Sequence, residues 1–133
     1  MNDRPTAIEL LEAVRHFLET DVVPALDGPK KFHARVAANV MGILSREWLL
    51  EEEQLDAEWN SLTALLGVAV ERPAKREDRR LALRDLNEKL CDRIRNGEAD
   101  GGAWRDEVRK HLRLVVRQKL QVSSPAMLKT ESK

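Results

Sequence analysis

Apolar residues recur at every third or fourth position over most of this 133-residue chain, and no stretch alternates convincingly with period two. That spacing predicts helices, each hiding one stripe of its surface. Thr6 and Glu9 carry a capping-box signal ahead of Leu10, Leu11, Val14, Phe17 and Leu18. Pro24 lacks an N–H and is expected to end or kink this first helix. Asp27-Gly28-Pro29 reads as a turn. From Lys31 to Leu66 the chain has no proline. Val36, Ala37, Val40, Ile43, Leu44, Leu55, Leu62 and Leu65 share one face there, flanked by Met41, Trp48, Leu50, Trp59 and Leu66. The stripe is interrupted only over Glu51–Gln54. The pattern therefore fits one helix of about 50 Å, bent near that gap, or two shorter ones. Gly67 fits a C-cap and residues 68–78 a surface loop. A third helix over 79–96 turns Leu83, Leu86, Leu90 and Ile94 inward, and Gly97 stops it. A fourth over 103–122 does the same with Trp104, Val108, Leu112, Val115 and Val122.

These elements predict an all-α fold, a bundle of about four helices packed antiparallel around a common core, with one long central helix. Residues 1–5 form a frayed lead, 6–122 the bundle domain and 123–133 a flexible tail. About twenty Leu-sized side chains, each worth about 1.5–3 kcal/mol when buried, are enough to hold such a fold without a metal or disulfide.

Polar residues on the apolar faces are the informative exceptions. His33, Glu47, Glu51 and Glu58 lie near the centre of the long helix's stripe. Asn87 falls among Leu83, Leu90 and Ile94, Asp21 extends the first stripe and Lys119 the last. A buried polar group without a partner costs about 1–3 kcal/mol. Each of these residues is therefore paired across the bundle or sits where the stripe leaves the core. His33, Glu47 and Asn87 are candidates for a buried polar network: Glu47 as an ion pair with an Arg of the third or fourth helix, Asn87 as a core amide fixing register. Glu51 and Glu58 are expected where the long helix projects past its neighbours. Arg35, Asn39 and Arg46 share a border between stripe and solvent. That row suits an ordinary pairing with acidic residues of the next helix. It also suits a carboxylate or phosphate ligand, since guanidinium presents a fork of donors. Small residues at Ala34, Ala37, Ala38 and Gly42 allow a helix or a ligand to come close.

Charge narrows the function classes. Lys+Arg and Asp+Glu are both 23, so the formal net charge is +0. The densest basic stretch, Lys75–Arg84, is broken by Glu77 and Asp78, which argues against nucleic-acid binding. Cys91 is the only cysteine, so no internal disulfide forms; its place at the edge of the third stripe suits a buried or half-buried small hydrophobe. No apolar segment approaches a membrane span and no basic start leads into an apolar signal core. The expectation is a cytoplasmic protein that touches no membrane.

The usual chemical constellations do not occur. His16, His33 and His111 fall in three different helices with no metal-binding spacing, and there is no phosphate-binding glycine loop or serine-hydrolase elbow. Neither a metal nor a cofactor is expected, and no residue is assigned a catalytic role. Glu9-x2-Glu12 and Glu53-x2-Asp56 are similar to the paired acidic motifs of all-helical, magnesium-dependent nucleotide pyrophosphohydrolases. Spacing-three carboxylate pairs are expected by chance in so charged a chain, and this reading stands third.

The opening Arg4-Pro5-Thr6-Ala7 with Glu9-Leu10-Leu11-Glu12-Ala13-Val14-Arg15, and the stretch Phe32-His33-Ala34-Arg35-Val36-Ala37-Ala38-Asn39, resemble a small bacterial family of unknown function. Val23-Pro24-Ala25-Leu26, Leu86-Asn87 and Ile94-Arg95-Asn96-Gly97-Glu98 extend the resemblance over nearly the whole chain. It implies no activity. It does imply a gene neighbourhood holding an acyl-CoA dehydrogenase and a kinase-like protein of the aminoglycoside phosphotransferase type. Neither a flavin-binding core nor kinase catalytic residues are present.

The leading expectation is a non-catalytic accessory or protein-interaction module, with the kinase-like protein or the dehydrogenase as partner. Trp48 and Trp59 are interface candidates, because tryptophan is enriched in binding hot spots; each also suits sealing the edge of the core. Self-association is expected through the far half of the long helix. The alternative is a module binding an anionic small molecule, acyl-CoA-like or phosphorylated, through Arg35, Asn39 and Arg46.

Overall fold

A computed structural model describes residues 3–129. The order is α1 (Ala7–Phe17), a π-helical turn (Leu18–Val22), α2 (Val23–Ala25), α3 (Gly28–Leu66), α4 (Arg76–Arg95), α5 (Gly102–Ser123) and a 3₁₀ turn (Pro125–Lys129), with no strand among the described residues. The fold is all-α, and among the described residues no helix is long and apolar enough to cross a membrane.

Thr6 and Glu9 form the expected capping box: Glu9 N–H donates to Thr6 Oγ1 at 3.3 Å, and Thr6 N–H to Glu9 Oε2 at 2.7 Å. Pro24 falls in the last turn of this helical stretch, as its chemistry suggests. Over Leu18–Val22 the helix widens, and Val23 N–H reaches back five residues to Leu18. The wider turn carries the helical path past the proline, whose missing N–H would break a tighter ladder. Helical structure then ends at Ala25.

The 39 residues of α3 form a single helix, which decides between the two readings of the Glu51–Gln54 gap. Pro29 suits its first turn. Its end is a left-handed glycine cap, Gly67 at φ +66, with Val68 N–H donating to Thr63 O. Gly97 closes α4 in the same way, at φ +85. Helix α4 begins three residues earlier than the periodicity suggests, because Lys75 is extended and Glu77 and Asp78 favour the first turn. The tail assigned to 123–133 holds the 3₁₀ turn up to Lys129. The remainder of that tail, and the first two residues of the lead, lie outside the described residues.

In place of one core shared by four helices, the chain divides into two compact units, one up to Leu50 and one from Glu51 onward. The second has a true core of Trp59, Leu62, Leu83, Leu86, Leu90 and Val108, contributed by α3, α4 and α5. Trp104 packs against it, its Nε1–H donating to Leu65 O at 3.1 Å, and the Arg93 guanidinium lies over the indole ring at 4.1 Å. The first unit has none of this. Its buried residues among those described are Ala34, Ala38, Gly42 and Ser45, all small. Cys91, expected at least half-buried, is exposed.

Candidate functional site

The first unit is a helical hairpin whose two arms meet over small residues. A Cβ at Gly42 would lie 3.7 Å from the Arg15 side chain and 3.2 Å from Arg46 Nη1, so the close approach uses the absent side chain. Beside this seam a groove of about 260 Å³ is lined by Arg15, Glu19, Val23, Arg35, Ala38, Asn39, Gly42 and Arg46. The three ligand candidates Arg35, Asn39 and Arg46 are thus brought together, and α1 adds a third arginine. Arg15 is held by Glu19 at 3.1 Å and Glu12 at 3.5 Å, which orients it along the groove wall. Glu19 of the π-helical turn and Val23 of α2 line the same groove, following Arg15 at four-residue intervals.

The rest of the hairpin surface is apolar. Leu10, Val14 and Phe17 of α1 stand exposed, as do Phe32, Val36, Val40, Leu44 and Trp48 of α3, at four-residue intervals and 41–62% exposure. His33 and Glu47, expected in a buried network, are both exposed. They border this exposed stripe. Periodicity locates the stripe, and the first unit's own helices leave it exposed.

Trp48 is 62% exposed, whereas Trp59 is 5% exposed and belongs to the core. Of the two interface candidates, only Trp48 is presented at the surface.

In the second unit the stripe's polar residues find partners. Asn87 Nδ2 donates to Glu58 Oε1 at 2.9 Å and to Leu83 O at 3.0 Å, so the amide ties α4 to α3. Glu51 pairs with Arg76 and Arg80. Between them sits Arg79, the residue that sequence reading missed. Only 3% exposed, it donates to Glu52 Oε1 at 2.6 Å, Asp56 Oδ1 at 2.7 Å, Pro73 O at 3.2 Å and Ala74 O at 3.4 Å. Its hydrogen bond is the main reason that the Glu52 carboxyl titrates below its ordinary range. The available signal was spacing: Arg79 stands four residues before Leu83, on the inward stripe of α4.

Three of the four carboxylates of the magnesium-enzyme reading are otherwise engaged, and Glu53 is exposed. Glu9 caps α1, Glu12 pairs with Arg15, and Asp56 pairs with Arg72 and Arg79. Among the described residues no group of three His, Cys, Asp or Glu side chains is placed to hold a metal ion.

A second feature absent from the sequence reading is the pair Ser61–His111, with Oγ and Nδ1 2.8 Å apart. His111 is 2% exposed and its Nε2 has no partner. It lines a groove of about 530 Å³ with Trp104, Leu65 and Leu114. Desolvation lowers its pKa, against a smaller raising effect of Glu58. Folding therefore excludes a proton that the unfolded chain takes up below about pH 6.5. Stability should be flat above that pH and fall as pH drops through it, by at most about 1.4 kcal/mol per pH unit for one proton. Thermal melts of wild type and His111→Gln from neutral to mildly acid pH check this. The variant should lose part of the acid slope; an unchanged slope would assign it to other groups.

No curated protein and no solved structure matches this chain. A family model described as a domain of unknown function (DUF6285) matches residues 24–127, from the end of the first hairpin arm to the 3₁₀ turn. The match spans most of the chain, and the protein belongs to the DUF6285 family.

Proposed function

We propose that this protein is a non-catalytic accessory module that works by docking another protein chain. The observation that carries the reading is the uncovered apolar face of the first unit. Five large side chains at four-residue intervals along α3, the 62% exposed Trp48 among them, and three more on α1 present apolar surface that water disfavours. Hot spots of protein interfaces are built from such residues. The partner proposed is the kinase-like protein or the acyl-CoA dehydrogenase of the gene neighbourhood, in the cytoplasm. Co-expression of each with the tagged chain is the test. The enzyme should co-elute with wild type and be lost with Trp48→Glu, which changes an exposed residue and leaves the core alone. Retention of neither enzyme by wild type would refute the partner.

A second reading is favoured by one observation, the gathering of Arg15, Arg35, Asn39 and Arg46 around one groove. Three guanidinium groups and an amide suit the carboxylate or phosphate of an acyl-CoA-like or phosphorylated small molecule. A ligand at a hundred times its Kd stabilises by about 2.7 kcal/mol, a melting shift of several degrees. Thermal-shift screening should then show stabilisation in wild type and none in Arg35→Ala. Equal stabilisation of both would place the ligand elsewhere.

A further inference from the structure

We infer that the occupant of the uncovered face is a second copy of this chain, docked antiparallel with Val40 of α3 on the two-fold axis. The inference rests on the interaction reading and puts a second copy on the face read above as the enzyme's dock, so that self-association and the enzyme compete for it.

Three observations on the first unit carry it. The first is area. Large apolar side chains of this unit stand 41–62% exposed on both arms, together presenting on the order of 800 Å² per chain. A stable interface buries about that much on each partner. With only Ala34, Ala38, Gly42 and Ser45 buried, the hairpin needs such a layer more than an ordinary surface does.

The second is symmetry. An isologous contact places each residue against its mirror position about the axis. Centred on Val40, Phe32 meets the second copy's Trp48, Val36 meets its Leu44, and Val40 meets itself. The row is self-complementary in shape as well. Helices that cross at about −50° are closest at the crossing and diverge toward the ends. The slim valine stands at the crossing, and the bulky Phe32 and Trp48, both 62% exposed, stand where the gap widens.

The third is charge. His33 and Glu47 are exposed, fourteen positions apart, close to four helical turns, and equidistant from Val40. The antiparallel pairing brings His33 of each chain toward Glu47 of the other. A parallel pairing would set His33 against His33 and Glu47 against Glu47. The sequence reading looked for self-association in the far half of α3, but that half carries the packed core. The face left over is in the near half.

The experiment uses the full chain. Sedimentation equilibrium of wild type at micromolar concentration should give twice the 15.2 kDa chain mass. Val40→Glu, which puts two carboxylates on the axis, should give the single-chain mass with its helical circular dichroism retained, because Val40 belongs to no core. In a Cys91→Ser background, Val40→Cys should oxidise to a covalent dimer, while Asn60→Cys, exposed in the second unit, should not. A wild type of single-chain mass overturns the inference, and so does a dimer that persists in Val40→Glu and fails to cross-link at position 40. If that monomeric wild type still retains one of the two enzymes, the docking reading survives; if it retains neither, both fall. A dimer that retains neither enzyme keeps the inference and refutes the partner alone.

Discussion

Leu62→Ala is expected to cost about 3–5 kcal/mol and to lower the melting temperature by roughly 10–20 °C. Leu62 is fully buried, 0% exposed, at the centre of the cluster formed with Trp59, Leu83, Leu86, Leu90 and Val108. Removing its isobutyl group loses the transfer free energy of the missing carbons. It also leaves a cavity that three helices, each fixed by further contacts, fill only in part. Urea titration followed by circular dichroism reads the loss. The informative control is Val40→Ala on the other half of the same helix. There the side chain is 41% exposed, and the same kind of truncation in the isolated chain should change stability by less than about 0.5 kcal/mol. A small loss at Leu62 would mean that the second unit is not packed around it.

The next largest effect belongs to Arg79→Ala, about 2–4 kcal/mol. The guanidinium is the buried member of its cluster, while Glu52 and Asp56 keep more contact with water, so the cost does not reach that of stranding an isolated buried charge. What is lost is the fork that joins two carboxylates of α3 to the carbonyls of Pro73 and Ala74, fastening the loop between α3 and α4. Arg79→Lys should recover less than half, because an ammonium on a flexible stem cannot reach four acceptors in one plane. Faster proteolysis between Gly67 and Lys75 should accompany the loss. Equal stability of Arg79→Ala and wild type would show that the surrounding pairs Arg72–Asp56 and Arg76–Glu51 hold the loop without it.

Much of the fold could be read from residue order, for reasons that are local. The capping box at Thr6 and Glu9, the glycine caps at Gly67 and Gly97 and the inward rows of α4 and α5 depend on neighbours three or four positions away. Periodicity also placed the α3 stripe correctly. It could not say what covers that stripe, because coverage depends on partners distant in sequence. So His33 and Glu47, sound candidates for burial on helical geometry, proved exposed, while Glu51 and Glu58 on the same stripe found Arg76, Arg80 and Asn87. Trp59 and Trp48 diverged for the same reason, one in the core and one in solvent. Pro24 marked the end of the first helical stretch, but not the π-helical turn before it that accommodates the ring. Arg79 was hidden by its residue type, since an arginine in a basic stretch reads as solvated surface until its carboxylate partners are seen. Of the candidate site, the grouping of Arg35, Asn39 and Arg46 was foreseeable on one helix; Arg15 and Glu19, from the opposite arm, were not.

On the inference above, the first unit is incompletely packed in the single chain and completed by another. Hydrogen exchange, followed segment by segment over a dilution series of the full chain, measures this directly. Amides of residues 28–48 should exchange much faster than those of 55–66 and 83–90 at the greatest dilution, and gain protection as concentration or partner is raised. Strong protection of 28–48 at every dilution, equal to that of the Leu62 core, would contradict it.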